Sequence, residues 1–306
     1  MANGVSVLCA RVKVEEKWMI QTLAAAGVPA RPLPPTTAPL PIGPVPSGPL
    51  ATGAVSGVAT EQIPADSELI VDRCADRTVA AAVIPALRAM GRRVIDAGLA
   101  ATGNRLEIAS ALAAAGVPLP AMLLATSEEA GLVAVAELGF PATLLPLDPG
   151  EPEIPFCDRD IAEAVLEHRA VLGSGPSTVA LVQAGACASS RVNVLVISGR
   201  AINAPNAECA NLAESAAAVL DASVIGVSLA RTERGLVVWD VIPVPAFRDE
   251  IAAHGPVIAE ALLNLIGLIG DSAQNADDAV QLLLMGELAG GMSARREVAN
   301  DVVLSA

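Results

Sequence analysis

Lysine disappears from this chain after Lys17: Lys13 and Lys17 are the only two among nineteen basic residues. Any site past that point must do without a lysine ammonium. Arginine is no simple replacement, because it offers a planar fork where a phosphate site expects a compact point charge. Tyrosine is absent and aromatics make up 2% of the chain, which excludes base-stacking platforms and Tyr-rich binding surfaces. With only His168 and His254 present, a multi-histidine metal site is excluded. The five cysteines (Cys9, Cys74, Cys157, Cys187, Cys209) are odd in number, widely spaced and without a CxxC pair. They read as buried thiols of a reduced, cytoplasmic chain rather than a disulfide frame. A formal charge of −14 argues against nucleic acid or an anionic membrane as partner, since both need a basic face.

Apolar residues are abundant. They make up 53% of 306 residues, enough for sizeable cores in two or three domains. The mean hydropathy of +0.55 invites a membrane reading that fails on inspection. The uncharged stretch 108–127 is interrupted by Gly116, Pro118 and Pro120, and the run 32–60 carries eight prolines, so neither forms a spanning helix. Residues 1–9 lack the basic start and cleavage pattern of a secretory signal.

Strands and helices alternate along the first third of the sequence. Residues 5–10 read as a strand and 15–26 as a helix closing at Gly27. Residues 33–60 read as an irregular excursion. A strand at 68–71, a helix at 78–90 and a strand at 93–95 complete a small parallel α/β unit. Asn104 then caps a helix over 105–115, 121–125 is a strand, and Thr126 or Ser127 starts another helix with Glu128 and Glu129 in its positive first turn. Further strands fall at 142–147, 179–183, 192–197, 201–203, 223–230 and 235–242, with helices at 158–168, 212–220 and 256–269. Ser198-Gly199 makes a hairpin turn, and Arg231, Glu233 and Arg234 make a charged one. A polar linker over 271–278 leads to a last segment whose Val280, Leu283, Leu284 and Leu288 share one helical face.

In this order, several phrases resemble the RimK-like ATP-grasp ligases. The nearest resemblance is to the LysX-type enzymes, which join an amino acid to an amino-group carrier protein in lysine or arginine biosynthesis. The phrases are Val71-Asp72-Arg73-Cys74; the helix from Asn104 running to Gly116-Val117-Pro118-Leu119-Pro120; Gly139-Phe140-Pro141-Ala142-Thr143-Leu144-Leu145-Pro146; and Gly226-Val227-Ser228-Leu229 continuing to Glu233-Arg234-Gly235-Leu236-Val237-Val238. The resemblance runs from about residue 5 to residue 270. It implies an α/β (α+β) ATP-grasp fold: an N-terminal parallel-sheet domain over 1–101, a central subdomain over 102–183, a C-terminal antiparallel-sheet subdomain over 184–270, and a linker and helix over 271–306.

Ligases of this kind activate a carboxylate as an acyl phosphate with ATP and magnesium, using positive groups for the phosphates and hard oxygen ligands for the metal. The resemblance puts the phosphate-binding lysine of the family's Lys-Pro on Leu145, and its helix-start lysine on Arg105. The glycine-rich flap becomes Asp148-Pro149-Gly150-Glu151, whose acids repel phosphate. The acidic residue beside adenine falls on Ala184, after Gln183. Arg191-Val192-Asn193 replaces the family's Asp-x-Arg. The substrate segment after Asn203 is shortened by roughly fifteen to twenty residues, if loop length is all that differs. The Glu-x-Asn that holds metal becomes Asp240-Val241-Ile242, and one carboxylate alone holds Mg²⁺ poorly.

The ATP-site positions are therefore Arg105, Leu145, Gln183 and Ala184, the one metal-site carboxylate is Asp240, and the substrate-facing positions are Arg73, Arg77 and Asn203. For Arg73 and Arg77 two readings stand open: a retained anion contact, or an exposed arginine pair beside a buried thiol. Phe247-Arg248-Asp249 falls where the family places a substrate-contacting loop, and Pro243, Pro245 and Ala246 mark it as remodelled. The expectation is a catalytically degraded ligase homologue with no cofactor, working as a binding or assembly subunit in a homo- or hetero-oligomer, in partnership with an active paralogue. The alternative is an active ligase that uses ATP and magnesium through a remodelled site.

Overall fold

The computed structural model describes residues 4–35, 69–96, 98–172, 179–185 and 191–267. Most of the excursion expected over 33–60, and the linker and helix expected over 271–306, lie outside the described residues. Three four-stranded sheets organise what is described.

The first sheet contains β1 (Val5–Leu8), β2 (Ala30–Leu33), β3 (Leu69–Asp72) and β4 (Arg93–Ile95), in the order β2-β1-β3-β4. All its pairings are parallel. Every residue of β1 and β3 is buried, as expected of parallel strands covered on both faces. Helix α1 (Val14–Ala25) shares a core with one face, and α2 (Arg77–Ala89) covers the other. Strand β2 escaped the sequence reading because Arg31-Pro32 breaks the apolar pattern. It is an edge strand, where proline's missing N–H costs no ladder bond. Helix α3 (Leu99–Thr102) is a single turn that leads out of this unit.

The second sheet follows α4 (Arg105–Ala114). It contains β5 (Met122–Ala125), β6 (Ala142–Pro146), β7 (Ile154–Phe156) and β8 (Ala180–Ala184), with α5 (Glu128–Leu138) and α6 (Arg159–Leu172) packed on one face. Its order is β5-β8-β6-β7 and its pairings are antiparallel. Strand β7 also went unread; it too holds a proline, Pro155, and lies at an edge.

The third sheet contains β9 (Val192–Ile197), β10 (Arg200–Ala201), β11 (Val224–Thr232) and β12 (Gly235–Ile242), with helices α7 (Ala207–Val219) and α8 (Arg248–Leu265). Its order is β10-β9-β11-β12, again antiparallel. Strand β10 is shorter than the strand expected over 201–203. Asn203 substitutes its side chain for a backbone partner: Oδ1 accepts from Leu195 N at 2.7 Å and Nδ2 donates to Asn193 O at 3.2 Å. Helix α8 starts at Arg248, eight residues before the expected Pro256, and bends where His254 leaves helical geometry ahead of Gly255-Pro256. A proline there removes an N–H and crowds the preceding turn.

The first and third sheets are not independent. Val5, Met19 and Leu23 share one continuous core with Leu195, Ile197, Val224, Phe247, Ile258 and Leu262.

Candidate functional site

The second sheet has two faces by strict alternation. Ala142, Leu144, Ala180 and Val182 pack into the core beneath α5 and α6. Thr143, Leu145, Leu181 and Gln183 therefore share the other face, with Thr143 paired to Gln183 and Leu145 to Leu181. Opposite lies β12, whose pairing with β11 is interrupted between Ser228 and Leu229. A regular strand would turn alternate residues away, but here Val238, Trp239, Asp240 and Val241 all line one cavity, an effect of the bulge. Leu145, Arg105, Ile108 and Leu112 line it too, so the sequence-predicted Arg105, Leu145 and Asp240 do converge. Its volume is about 20 Å³. That is room for little more than one water, whereas ligand pockets run to about 300–1,000 Å³.

Arg105 fills the space where the resemblance implies phosphate. It is 6% exposed. Its Nε and Nη2 donate to Asp240 Oδ1 (3.2 Å) and Oδ2 (2.9 Å), the bidentate geometry that makes Arg–carboxylate pairs strong. Nη1 donates to the carbonyls of Pro146 (2.9 Å), Asp148 (2.9 Å) and Glu151 (3.0 Å), and Nη2 also reaches Pro149 O at 3.4 Å. The Arg105 backbone N–H donates to Leu147 O at 2.8 Å. Asp240 is consumed by the same pair.

At the end where the resemblance implies adenine, Gly185 has φ 96°, and an added Cβ would come within 3.2 Å of the Trp239 ring. Trp239 Nε1 donates to Glu153 Oε2 at 3.0 Å, Glu153 pairs with Arg191, and the Arg191 guanidinium stands 5.2 Å from the Trp239 ring centre. Ala184 is occupied in backbone pairing with Ala142 and Ala121. Gln183 is fully buried, and neither of its amide atoms finds a hydrogen-bond partner among the described residues.

Arg73 and Arg77 are both 5% exposed, so they are not an exposed pair. Arg73 donates to Glu16 Oε1 (3.1 Å) and Pro245 O (2.9 Å), with its guanidinium 5.0 Å from the Phe247 ring centre. Arg77 donates to Asp72 Oδ2 (2.9 Å), Cys74 O (2.6 Å) and Ala101 O. Burial pushes the Asp72 carboxyl above its usual range, with the neighbouring Arg77 opposing that shift. Arg73 thus ties α1 to the segment before α8, and Arg77 ties Asp72 and Cys74 to α3. Asn203, besides its bonds to β9, donates to Glu250 Oε1 at 3.1 Å.

Glu250 leads to a feature that sequence reasoning missed. Between the start of α1, the near ends of β9, β11 and β12, and the start of α8 lies a cleft of about 1,070 Å³. Lys13, Lys17 and Arg248 line it, together with Glu15, Asp249 and Glu250. The chain's only two lysines thus both line this cleft. The signal was present, since both flank the start of one helix, but nothing local says what α1 faces.

As arranged, the narrow cavity does not fit a magnesium nucleotide: it is too small, its one guanidinium and one carboxylate are paired, and apolar residues line the rest. No group of three His, Cys, Asp or Glu side chains suited to a metal occurs among the described residues.

Solved structures give the arrangement its class. A RimK domain ATP-grasp protein from Sphaerobacter thermophilus matches 86% of this chain and 98% of its own, at 26% identity and TM-score 0.70. The ATP-grasp ligase PsnB, solved with precursor peptide PsnA2 and AMPPNP, matches at 19% identity and TM-score 0.59, covering 87% of this chain and 98% of that one. D-alanine–D-alanine ligase from Bacillus anthracis, complexed with ATP, matches at 13% and 0.57, covering 92% and 99%. No protein-family model matches the chain. The chain has the ATP-grasp fold.

Proposed function

We propose that this chain is a catalytically degraded homologue of the RimK- and LysX-like carboxylate–amine ligases and serves as a non-catalytic binding or assembly subunit. One observation carries the reading. Leu145, 2% exposed, is paired to Leu181 on the wall of a cavity of about 20 Å³, where the resemblance implies a phosphate-binding lysine. A hydrogen bond to a charged group contributes about 1.5–3 kcal/mol, and among the described residues lining this cavity no cation is left free for a phosphate. What remains open is the cleft of about 1,070 Å³ beside Lys13, Lys17 and Arg248, and binding of a ligand or a partner segment is assigned there. No cofactor is expected. The partners are a second copy or an active ATP-grasp paralogue, in the cytoplasm, with neither nucleic acid nor membrane involved; no described helix is long and apolar enough to cross a membrane.

The alternative is an active ligase with a remodelled nucleotide site. It draws on PsnB and D-alanine–D-alanine ligase, solved neighbours that are ligases, and on Arg105 and Asp240 lying side by side. Isothermal calorimetry of the full chain with Mg·ATP separates the two: the degraded reading expects no heat of binding. Micromolar, magnesium-dependent affinity would establish the alternative in its place.

A further inference from the structure

We propose that Arg105 is a built-in closure for the narrow cleft between the second and third sheets, where the cavity of about 20 Å³ lies, an internal cation that ties the two sheets together so that the chain stays closed there with nothing bound. The proposal rests on the reading that the cleft takes no nucleotide, and it assigns what holds the cleft shut instead.

The position of Arg105 is the first clue. It is the first residue of α4, directly after the N-cap Asn104 and inside the capping box that Asn104 makes with Glu107. A cation in the first turn of a helix lies against the helix dipole, so local helix chemistry gives no reason for arginine there. Tertiary chemistry does. Carbonyls from Pro146, Asp148, Pro149 and Glu151 converge on one guanidinium within 3.4 Å. This strap follows β6 of the second sheet, while Asp240 belongs to β12 of the third. One side chain therefore bridges a strap, a helix start and a strand 135 residues further along the chain.

The strap is held at other points as well. Asp148 accepts from Gly150 N at 2.7 Å and from Thr78 Oγ1 of α2 at 3.3 Å, which brings the first unit to the same loop. At the far end of the cleft, Glu153 binds both Trp239 and Arg191. The cleft is fastened at both ends by polar groups that cross between the sheets, with Leu145 and Leu181 between them. Because Arg105 is buried, removing Asp240 leaves its charge without a counter-ion, a costly state that favours opening over local repair.

Hydrogen exchange of the full-length protein tests this, with wild type compared to Arg105→Ala and Asp240→Asn. Amides at 147–151 and 238–241 are expected to exchange at least tenfold faster in Arg105→Ala, with a larger radius of gyration by solution scattering. Asp240→Asn keeps the carbonyl contacts, so it is expected to loosen 238–241 much more than the strap. It also carries the test if Arg105→Ala fails to fold. Exchange within twofold of wild type in both segments for a folded variant would overturn the closure, leaving the apolar contacts as what holds the cleft. A parallel arm adds Mg·ATP to wild type: increased protection there would refute the non-catalytic reading, while the variant comparison still judges the closure separately.

Discussion

Asp96 follows β4 in the left-handed backbone region, at φ 62°. Its Oδ1 accepts the backbone N–H groups of Ser223 (2.5 Å) and Val224 (2.9 Å) at the start of β11, while Oδ2 is buried without a partner among the described residues. Burial pushes its carboxyl up to about 7. Asp72 nearby adds to that shift, while the two N–H bonds and Arg73 oppose it. The folded chain thus holds this proton more tightly than the unfolded chain, whose carboxyl titrates near 3.9. The resulting stabilisation is complete below about pH 4 and is lost as pH rises to about 7, up to roughly 4 kcal/mol at one pKa unit per 1.36 kcal/mol. Asn keeps the accepting oxygen, tolerates positive φ and carries no charge. Asp96→Asn is therefore expected to gain stability relative to wild type as pH rises from 4.5 to 8, read from urea midpoints. An equal difference at both pH values would show that Asp96 does not titrate in this range.

Two residues on, the connection between β4 and α3 meets the end of α7. A Cβ on Gly98 would lie 2.5 Å from Asp221 O and 2.8 Å from Leu220 O. Both are backbone atoms, so relief requires moving one element off the other. Gly98→Ala is expected to cost about 1–3 kcal/mol, the usual range for overpacking. Gly255→Ala, whose Cβ would meet only Trp18 at 4.0 Å, serves as the near-neutral control in the same chemical denaturation. Gly98→Ala within 0.5 kcal/mol of wild type, the usual range for an unconstrained surface change, would mean that the two connections are free to separate.

Across the whole molecule, the shared core predicts cooperative unfolding. Met19 and Leu23 of α1 are buried in the same cluster as Leu195, Phe247 and Leu262, so the first sheet cannot lose its core without exposing that of the third. The two tryptophans report on this separately: Trp18 packs against the shared core, and Trp239 lies in the cleft. Single-tryptophan variants made by Trp18→Phe and Trp239→Phe are expected to give coincident guanidinium midpoints, once each is corrected for its own stability by circular dichroism. Separate midpoints would show that the units unfold independently and that the shared core does not couple them.

Local chemistry alone determined much of this protein. Strands 93–95, 192–197 and 235–242 were legible to the residue, because each is an apolar run bounded by turn residues. The cap at Asn104 was legible, and the next was narrowed to Thr126 or Ser127, of which Ser127 is the cap, because a short side-chain acceptor before a helical run satisfies orphan N–H groups. The order of elements followed from those pieces, whereas the ATP-grasp reading and the convergence of Arg105, Leu145 and Asp240 came from the resemblance. Strands β2 and β7 were not legible, since each has a proline that only an edge position tolerates, and being an edge depends on which strands pair elsewhere. Nor could the sequence show that Arg105 spends its charge on Asp240 and four carbonyls, or that Lys13 and Lys17 face a wide cleft. Periodicity along a chain records which face of an element is buried. What that face meets is settled only when segments more than a hundred residues apart are packed together.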